Sequence, residues 1–140
     1  MKKLLFLAIA CLSLVACKKV EGEGGRASIT GKVSVMEKLY TGSTWTDTAY
    51  YDGAKEDVYI VYGDGETMYN DKVECSYDGT FKFDYLQPGN YTIFAYSKVF
   101  HTGNNVPNND DDYYTYEVVS QSVTIEKKET KDLGTINLTK

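Results

Sequence analysis

Apolar and polar residues alternate along most of the chain after residue 27, the pattern of half-buried β-strands. Val58–Tyr62 is a short continuous apolar run suited to a central strand, and Asp78-Gly79 marks a hairpin turn. The pattern predicts no helix and seven strands, at 28–35, 58–62, 69–75, 81–85, 91–95, 119–125 and 133–138. Segments 36–57 and 99–112 lack this pattern and are predicted to be long loops, the first with room for a small hairpin.

The chain begins with the features of a secretory signal. Lys2 and Lys3 precede an apolar run over 4–16, which is too short to span a bilayer as a helix. The next residues resemble the lipobox of bacterial lipoproteins, Leu14-Val15-Ala16-Cys17. In that family the signal is cleaved before the cysteine, which then carries the lipid. The resemblance implies a signal peptide at 1–16, lipidation of Cys17 with a flexible tether at 17–26, and one domain at 27–140.

Charge and cysteine content narrow the classes of partner. The formal net charge is -5 at pH 7, so the chain repels phosphate backbones and nucleic acid is excluded as a partner. Solubility alone also explains this acidity. Of three cysteines, Cys11 belongs to the signal and Cys17 to the lipid site. Cys75 therefore has no disulfide partner and is expected to be a small buried hydrophobe.

Two segments resemble a signature of transthyretin-like domains, which include the carboxypeptidase regulatory-like and collagen-adhesin B-type repeats of bacterial surface proteins. They read Asp78-Gly79-Thr80-Phe81-Lys82-Phe83 and Leu86-Gln87-Pro88-Gly89-Asn90-Tyr91-Thr92-Ile93. Flanking matches are Gly31-Lys32-Val33 and Asp132-Leu133-Gly134-Thr135-Ile136-Asn137-Leu138. The resemblance implies an all-β fold, a seven-stranded Greek-key β-sandwich of the prealbumin type. It implies little about function, because this fold has many roles.

The residues after Cys17 indicate a location. Lys18 stands where enteric lipoproteins retained at the inner membrane carry Asp, which implies the outer membrane. Glu21 and Glu23 partly match the acidic tract that sends lipoproteins of Bacteroides-like bacteria to the cell surface. Surface-exposed and periplasm-facing domains both remain open.

Both long loops are predicted to lie at the end of the sandwich opposite the tether, because loops between successive antiparallel strands alternate between the two ends. These loops carry the candidate ligand-binding residues Tyr40, Trp45, Tyr50, Tyr51, Phe100 and His101. Aromatic rings with polar tips suit a glycan or a protein partner. The alternative is that these side chains cap the core.

Two weaker patterns concern a metal and a modification. An Asn- and Asp-rich segment offers the oxygen ligands that calcium prefers, at Asn108, Asp110 and Asp112, although such runs are more often solvated loops. Thr48, within Asp47-Thr48-Ala49, matches a short O-glycosylation pattern of Bacteroidetes. No other cofactor is predicted.

Together these patterns predict a membrane-anchored, non-catalytic lipoprotein of the cell envelope. Its distal loops would bind a glycan or an envelope or host protein. One alternative is a structural or assembly subunit that adds strands at a sheet edge. The other is a small hydrolase around His101, for which the sequence holds no catalytic motif.

Overall fold

The computed structural model describes residues 20–41, 44–63, 68–101 and 113–140, without the side chains of residues 40, 44 and 45. The described residues form strands and no helix. The strands are β1 (Glu23–Thr41), β2 (Thr44–Asp52), β3 (Asp57–Tyr62), β4 (Asp71–Glu74), β5 (Thr80–Leu86), β6 (Gly89–His101), β7 (Tyr113–Ile125) and β8 (Thr130–Thr139).

Two sheets of four strands each make up the described fold. In the first sheet β1 pairs along one edge with β5 and then β2, both antiparallel, and along its other edge with β8, which is parallel. The second sheet has the order β4-β3-β6-β7 with antiparallel pairs throughout. The long strand β1 is thus the centre of the first sheet, and β3 and β6 are the centre of the second.

The inward side chains of both sheets form one apolar core. Alternation along the strands places them there, as the sequence pattern predicts. β3 contributes Val58 and Ile60, both with no exposed surface. The other large, fully buried side chains are Tyr91, Ile29, Leu86, Ile93, Ile125, Ile136, Leu138, Val33 and Val35.

The predicted all-β, two-sheet arrangement is confirmed, but the described strands number eight rather than seven. The segment 36–57, predicted as a long loop with room for a small hairpin, is mostly a long hairpin. β1 continues to Thr41, and β2 pairs with it from Thr44 to Asp52. This hairpin is rich in Thr and Tyr, which favour strands, but it has no one-sided apolar pattern to reveal it. The predicted loop at 99–112 is also shorter, because β6 continues to His101.

The predicted flexible tether at 17–26 overlaps the folded domain. β1 begins at Glu23, and the chain approaches β5 closely just after this point. A Cβ atom at Gly25 would lie 1.7 Å from the carbonyl oxygen of Leu86. Glycine here permits backbone contact, whereas composition alone suggested flexibility.

Tyr91 joins Gly22, the residue before β1, to the turn between β5 and β6. Its buried hydroxyl accepts a hydrogen bond from the Gly22 N–H at 3.0 Å and donates one to the Gln87 carbonyl at 2.7 Å. The Gln87 N–H in turn donates to the Gly22 carbonyl at 2.7 Å. Burial raises the pKa of the Tyr91 phenol, so the hydroxyl stays protonated and available as a donor.

Within the described residues, no helix is long and apolar enough to cross a membrane.

Tyr91→Phe tests this junction. The variant keeps the ring but leaves the buried Gly22 N–H without its acceptor, so the free energy of unfolding should fall by about 1–3 kcal/mol in urea denaturation. The control is Tyr77→Phe, because Tyr77 is 91% exposed and its replacement should change stability little. Equal stability of the two variants would show that the Tyr91 hydroxyl does not secure the start of the fold.

Candidate functional site

The outer face of the second sheet carries aromatic side chains. β6 is apolar on both faces, since Ile93 and Ala95 enter the core while Phe94 and Tyr96 point the opposite way. Cross-strand partners share a face, and Phe94 lies opposite Tyr59 of β3. On the other side of β6, the partners Lys98–Tyr116 and Phe100–Tyr114 extend the same outer face. We call the following residues the tyrosine face: Tyr59, Tyr69, Phe94, Tyr96, Tyr114 and Tyr116.

Ring contacts hold the centre of the tyrosine face in place. Tyr59 stacks on Phe94 with ring centroids 5.0 Å apart and planes 14° apart. It meets Tyr69 at 4.8 Å and Tyr96 at 5.5 Å, both edge to face. Phe94 is only 9% exposed beneath its neighbours, whereas Tyr69 and Tyr96 remain 47% and 42% exposed. A buried ring thus supports exposed ones, and such pairs limit side-chain motion before any ligand binds.

An open groove of about 830 Å³ continues the tyrosine face toward the end of β6. Tyr59, Tyr96, Tyr114 and Tyr116 line it together with charged side chains, which are Glu37, Lys55, Glu56, Asp57, Lys98 and Lys140. A smaller cavity of about 160 Å³ shares Glu37, Tyr114 and Lys140 with the groove and adds Phe100. The site therefore combines aromatic surface with a charged rim.

Each carboxylate of the groove is held by a neighbour. The Glu56 carboxylate forms an ion pair with the Lys140 ammonium. The Asp57 carboxylate accepts hydrogen bonds from Lys72 at 2.7 Å and from the Tyr59 hydroxyl at 3.4 Å. Such half-exposed pairs contribute little stability, but they orient the oxygens along the rim.

Glu37 completes the set of carboxylates. It accepts a hydrogen bond from the Tyr51 hydroxyl at 3.2 Å. Burial and the nearby Glu37 charge raise the pKa of Tyr51, and burial with the Asp57 charge raises that of Tyr59. Both phenols therefore stay protonated at neutral pH and act as hydrogen-bond donors.

Lys98 lies among the rings. Its ammonium is 3.8 Å from the ring centroid of Tyr114, within the range of a cation–π interaction. The side chain is half-buried, and its cross-strand partner Tyr116 is 68% exposed. A cation and an exposed ring thus lie side by side in the groove.

Two residues predicted from the sequence adjoin this groove. Tyr51 reaches it through Glu37, and Phe100 packs against Tyr114 with ring centroids 5.1 Å apart. Tyr50 precedes Tyr51 on β2, points to the opposite face and is 72% exposed.

The other predicted residues lie elsewhere or are not described. His101, next to Phe100, points to the other face, where it stacks on Tyr113 at 4.8 Å and its Nε2 lies 2.7 Å from Thr115 Oγ1. Tyr40 and Trp45 are cross-strand partners of the β1–β2 hairpin, and their side chains are outside the description. The six predicted residues therefore do not form one patch on a single face.

Of the residues predicted for modification or metal binding, the structure describes Thr48 only. Thr48 is half-buried on β2, and its backbone N–H donates to the Asp47 carboxylate at 2.7 Å. Cys17, Asn108, Asp110 and Asp112 lie outside the described residues. Among the residues that are described, no cluster of three or more His, Cys, Asp and Glu could hold a metal.

Sequence reasoning missed most of the groove. Tyr59 lies inside the predicted strand 58–62 and Tyr96 directly follows the predicted strand 91–95, so both rings are interpreted as part of the sheet and not as ligand contacts. A signal was present, because Phe94 and Tyr96 interleave with Ile93 and Ala95 and make β6 apolar on both faces. A strand covered on one face only is expected to alternate with polar residues.

Cys75 is buried beneath the carboxylates of this region, as predicted from the sequence. Burial, together with the nearby charges of Glu56 and Asp57, raises the pKa of its thiol to about 11. A thiol in this state is a packing group and a poor nucleophile.

Comparison with known proteins gives a distant structural likeness. No known protein family and no curated protein matches the sequence. A Pseudomonas aeruginosa protein proposed to bind carbohydrate is similar over 86% of this chain and 92% of its own, with a TM-score of 0.49 and 14% identity. A 9R-lipoxygenase from Cyanothece is similar over 79% of this chain and 16% of its own, with a TM-score of 0.36 and 16% identity. These values assign neither a family nor an activity.

Labelling with iodoacetamide tests the state of Cys75. At pH 8 the native protein should leave Cys75 unmodified, because a thiol with a pKa of about 11 has very little thiolate at that pH. Protein unfolded in urea should be labelled, and peptide mass spectrometry separates Cys75 from the other cysteines. Rapid labelling of the native protein would contradict the buried, protonated thiol.

Proposed function

We propose that the protein is a non-catalytic carbohydrate-binding protein and that its ligand lies in the groove on the tyrosine face. The observation that carries this proposal is the set of exposed tyrosine rings held in place by ring contacts and bordered by oriented carboxylates and lysines. Aromatic rings pack against the C–H faces of sugar rings, while charged groups hydrogen-bond the hydroxyls.

The shape of the groove favours a chain of sugars over a single small molecule. The groove is open along its length, and its rings run from the half-buried Tyr59 and the exposed Tyr96 to the exposed Tyr116. Small-molecule sites are usually concave pockets that enclose most of the ligand. An open aromatic surface instead offers successive contacts to an extended oligosaccharide.

The charges of the groove favour binding over hydrolysis. Glycoside hydrolysis needs one carboxylic acid that protonates the leaving group and one carboxylate that acts as base or nucleophile. Here Glu56 is paired with Lys140 and Asp57 with Lys72, so each carboxylate is already in contact with a lysine ammonium. This arrangement suits fixed hydrogen-bond acceptors.

We further propose that the protein is a lipoprotein of the outer membrane, anchored through Cys17. The lipobox-like tetrapeptide is the support for this anchor. Gly22 lies beside Tyr91 near the start of β6, whereas the groove reaches Lys98. Seven residues of strand separate these positions by roughly 20 Å, so the groove would be displaced from the anchored end.

A second candidate function is assembly through β7, which is the terminal strand of its sheet. It spans 13 residues and contains no Pro, Lys or Arg. Long strands without such residues leave an edge open to pairing with another chain.

Replacement of exposed tyrosines tests the carbohydrate proposal. Tyr96→Ala and Tyr116→Ala should each weaken binding to a glycan identified on an array by about tenfold, because each removes a stacking surface. Isothermal titration calorimetry measures the affinity. Tyr77→Ala is the matched control, since Tyr77 is more exposed and does not line the groove.

Two outcomes would contradict the proposal. One is the absence of glycan binding by the wild-type protein on a broad array. The other is loss of binding in Trp45→Ala with full binding in both tyrosine variants, which would move the site to the β1–β2 hairpin.

Sedimentation velocity over a range of concentrations tests assembly through β7. Association should appear at high concentration and be reduced in Ser122→Lys, because a lysine on an edge strand disfavours pairing. Ser122 is exposed and does not line the groove, so glycan binding should be retained. A monomer at all concentrations would remove this candidate.

A further inference from the structure

We propose that the groove takes an acidic glycan, whose carboxylate groups pair with Lys98. This inference rests on the function proposed above and names the class of sugar that the site selects.

The groove contains carboxylates that are already paired or hydrogen-bonded and two lysines, Lys55 and Lys98, without an ion pair to a described residue. Lys98 is in contact with a ring of the groove. Glu56 is paired with Lys140, Asp57 with Lys72, and the Glu37 carboxylate accepts a hydrogen bond from Tyr51. Among the ion pairs of the described residues, none includes Lys98. A ligand carboxylate would therefore meet an available ammonium group without displacing an existing pair.

The position of Lys98 suits contact with a sugar that stacks beside it. Its ammonium is supported by the Tyr114 ring at 3.8 Å, which limits its motion. Tyr116 is its cross-strand partner, and Tyr96 lies two residues earlier on the same face of β6. Neighbours of this kind are about 5–7 Å apart, so a sugar ring on either tyrosine would hold its carboxylate near the Lys98 ammonium.

The local charge of the groove differs from that of the whole chain. The net charge of the chain is -5. The lining of the groove, however, holds three lysines (Lys55, Lys98 and Lys140) and three carboxylates (Glu37, Glu56 and Asp57), so its charges balance. The groove therefore repels an acidic ligand less than the rest of the acidic surface does, and that remainder disfavours unspecific binding of polyanions.

A matched pair of ligands tests the inference on the full-length protein. Hexagalacturonate carries a carboxylate on each sugar, and its methyl ester has the same backbone without the charge. The wild-type protein should bind the acid about fivefold more tightly than the ester, a difference of about 1 kcal/mol. Lys98→Gln should bind both ligands equally, and Lys98→Arg should restore the preference.

The control variant is Lys127→Gln, which removes an exposed lysine from the β7–β8 turn and should keep the wild-type preference. A melting curve of each variant shows whether it is folded. Melting of Lys98→Gln at the wild-type temperature assigns its loss of preference to the missing charge. If Lys98→Gln is unfolded, the affinities of the wild-type protein and of Lys98→Arg for the acid and for the ester decide whether the groove prefers an acidic glycan.

Four results would overturn the inference. If the wild-type protein binds the acid and the ester with equal affinity, the preference for an acidic glycan is wrong, but carbohydrate binding stands. Binding of the neutral cellohexaose alone has the same meaning. Tighter, Lys98-dependent binding of a heparin hexasaccharide than of hexagalacturonate would assign the cation to sulfate instead of carboxylate. Failure to bind any of these sugars also overturns it, and the broad array then decides the proposed function separately.

Discussion

The antiparallel pairing of β6 with β7 determines both the core and the candidate site. Thirteen residue pairs run from Gly89–Ile125 to His101–Tyr113 without a change of register. Because side chains alternate between faces, a slip of one residue would bring Tyr114 and Tyr116 to the core side and remove them from the groove. The burial of Ile93 and Ala95 on one face and of Phe94 on the other resists such a slip from both sides. The energy that packs the sandwich therefore also fixes the rings that we propose to contact sugar.

The first sheet contributes to the groove at one end of the domain and carries Gly22, just before β1, at the other. β1 brings Glu37 to the rim, and the residue that follows β8, Lys140, holds Glu56 there. At the other end of the domain, Tyr91 fastens Gly22 to the turn before β6. The same strand β6 thus runs from the neighbourhood of Gly22 to the groove. In the proposed lipoprotein, this strand would present the groove away from its membrane anchor.

The sequence predicted the fold better than the site, for physical reasons. One-sided alternation and turn residues such as Asp78-Gly79 report on local structure, so most strands of the core were found. The length of the β1–β2 hairpin was underestimated because its stability comes from pairing with a polar partner strand, which leaves no apolar period. The groove was missed because it joins residues far apart in sequence, such as Glu37, Tyr59 and Tyr116. Of the predicted site residues, Tyr51 and Phe100 adjoin it, while His101 faces the opposite side.

The most direct measurement is an NMR titration that follows the ring signals of ¹³C-labelled tyrosines as an oligosaccharide is added. If sugar binds on the outer face of the second sheet, as we propose, the signals of Tyr96, Tyr114 and Tyr116 should shift while those of Tyr77 and Tyr85 stay unchanged. Shifts confined to Tyr40 and Tyr50 would instead place the ligand at the β1–β2 hairpin and contradict the proposed site.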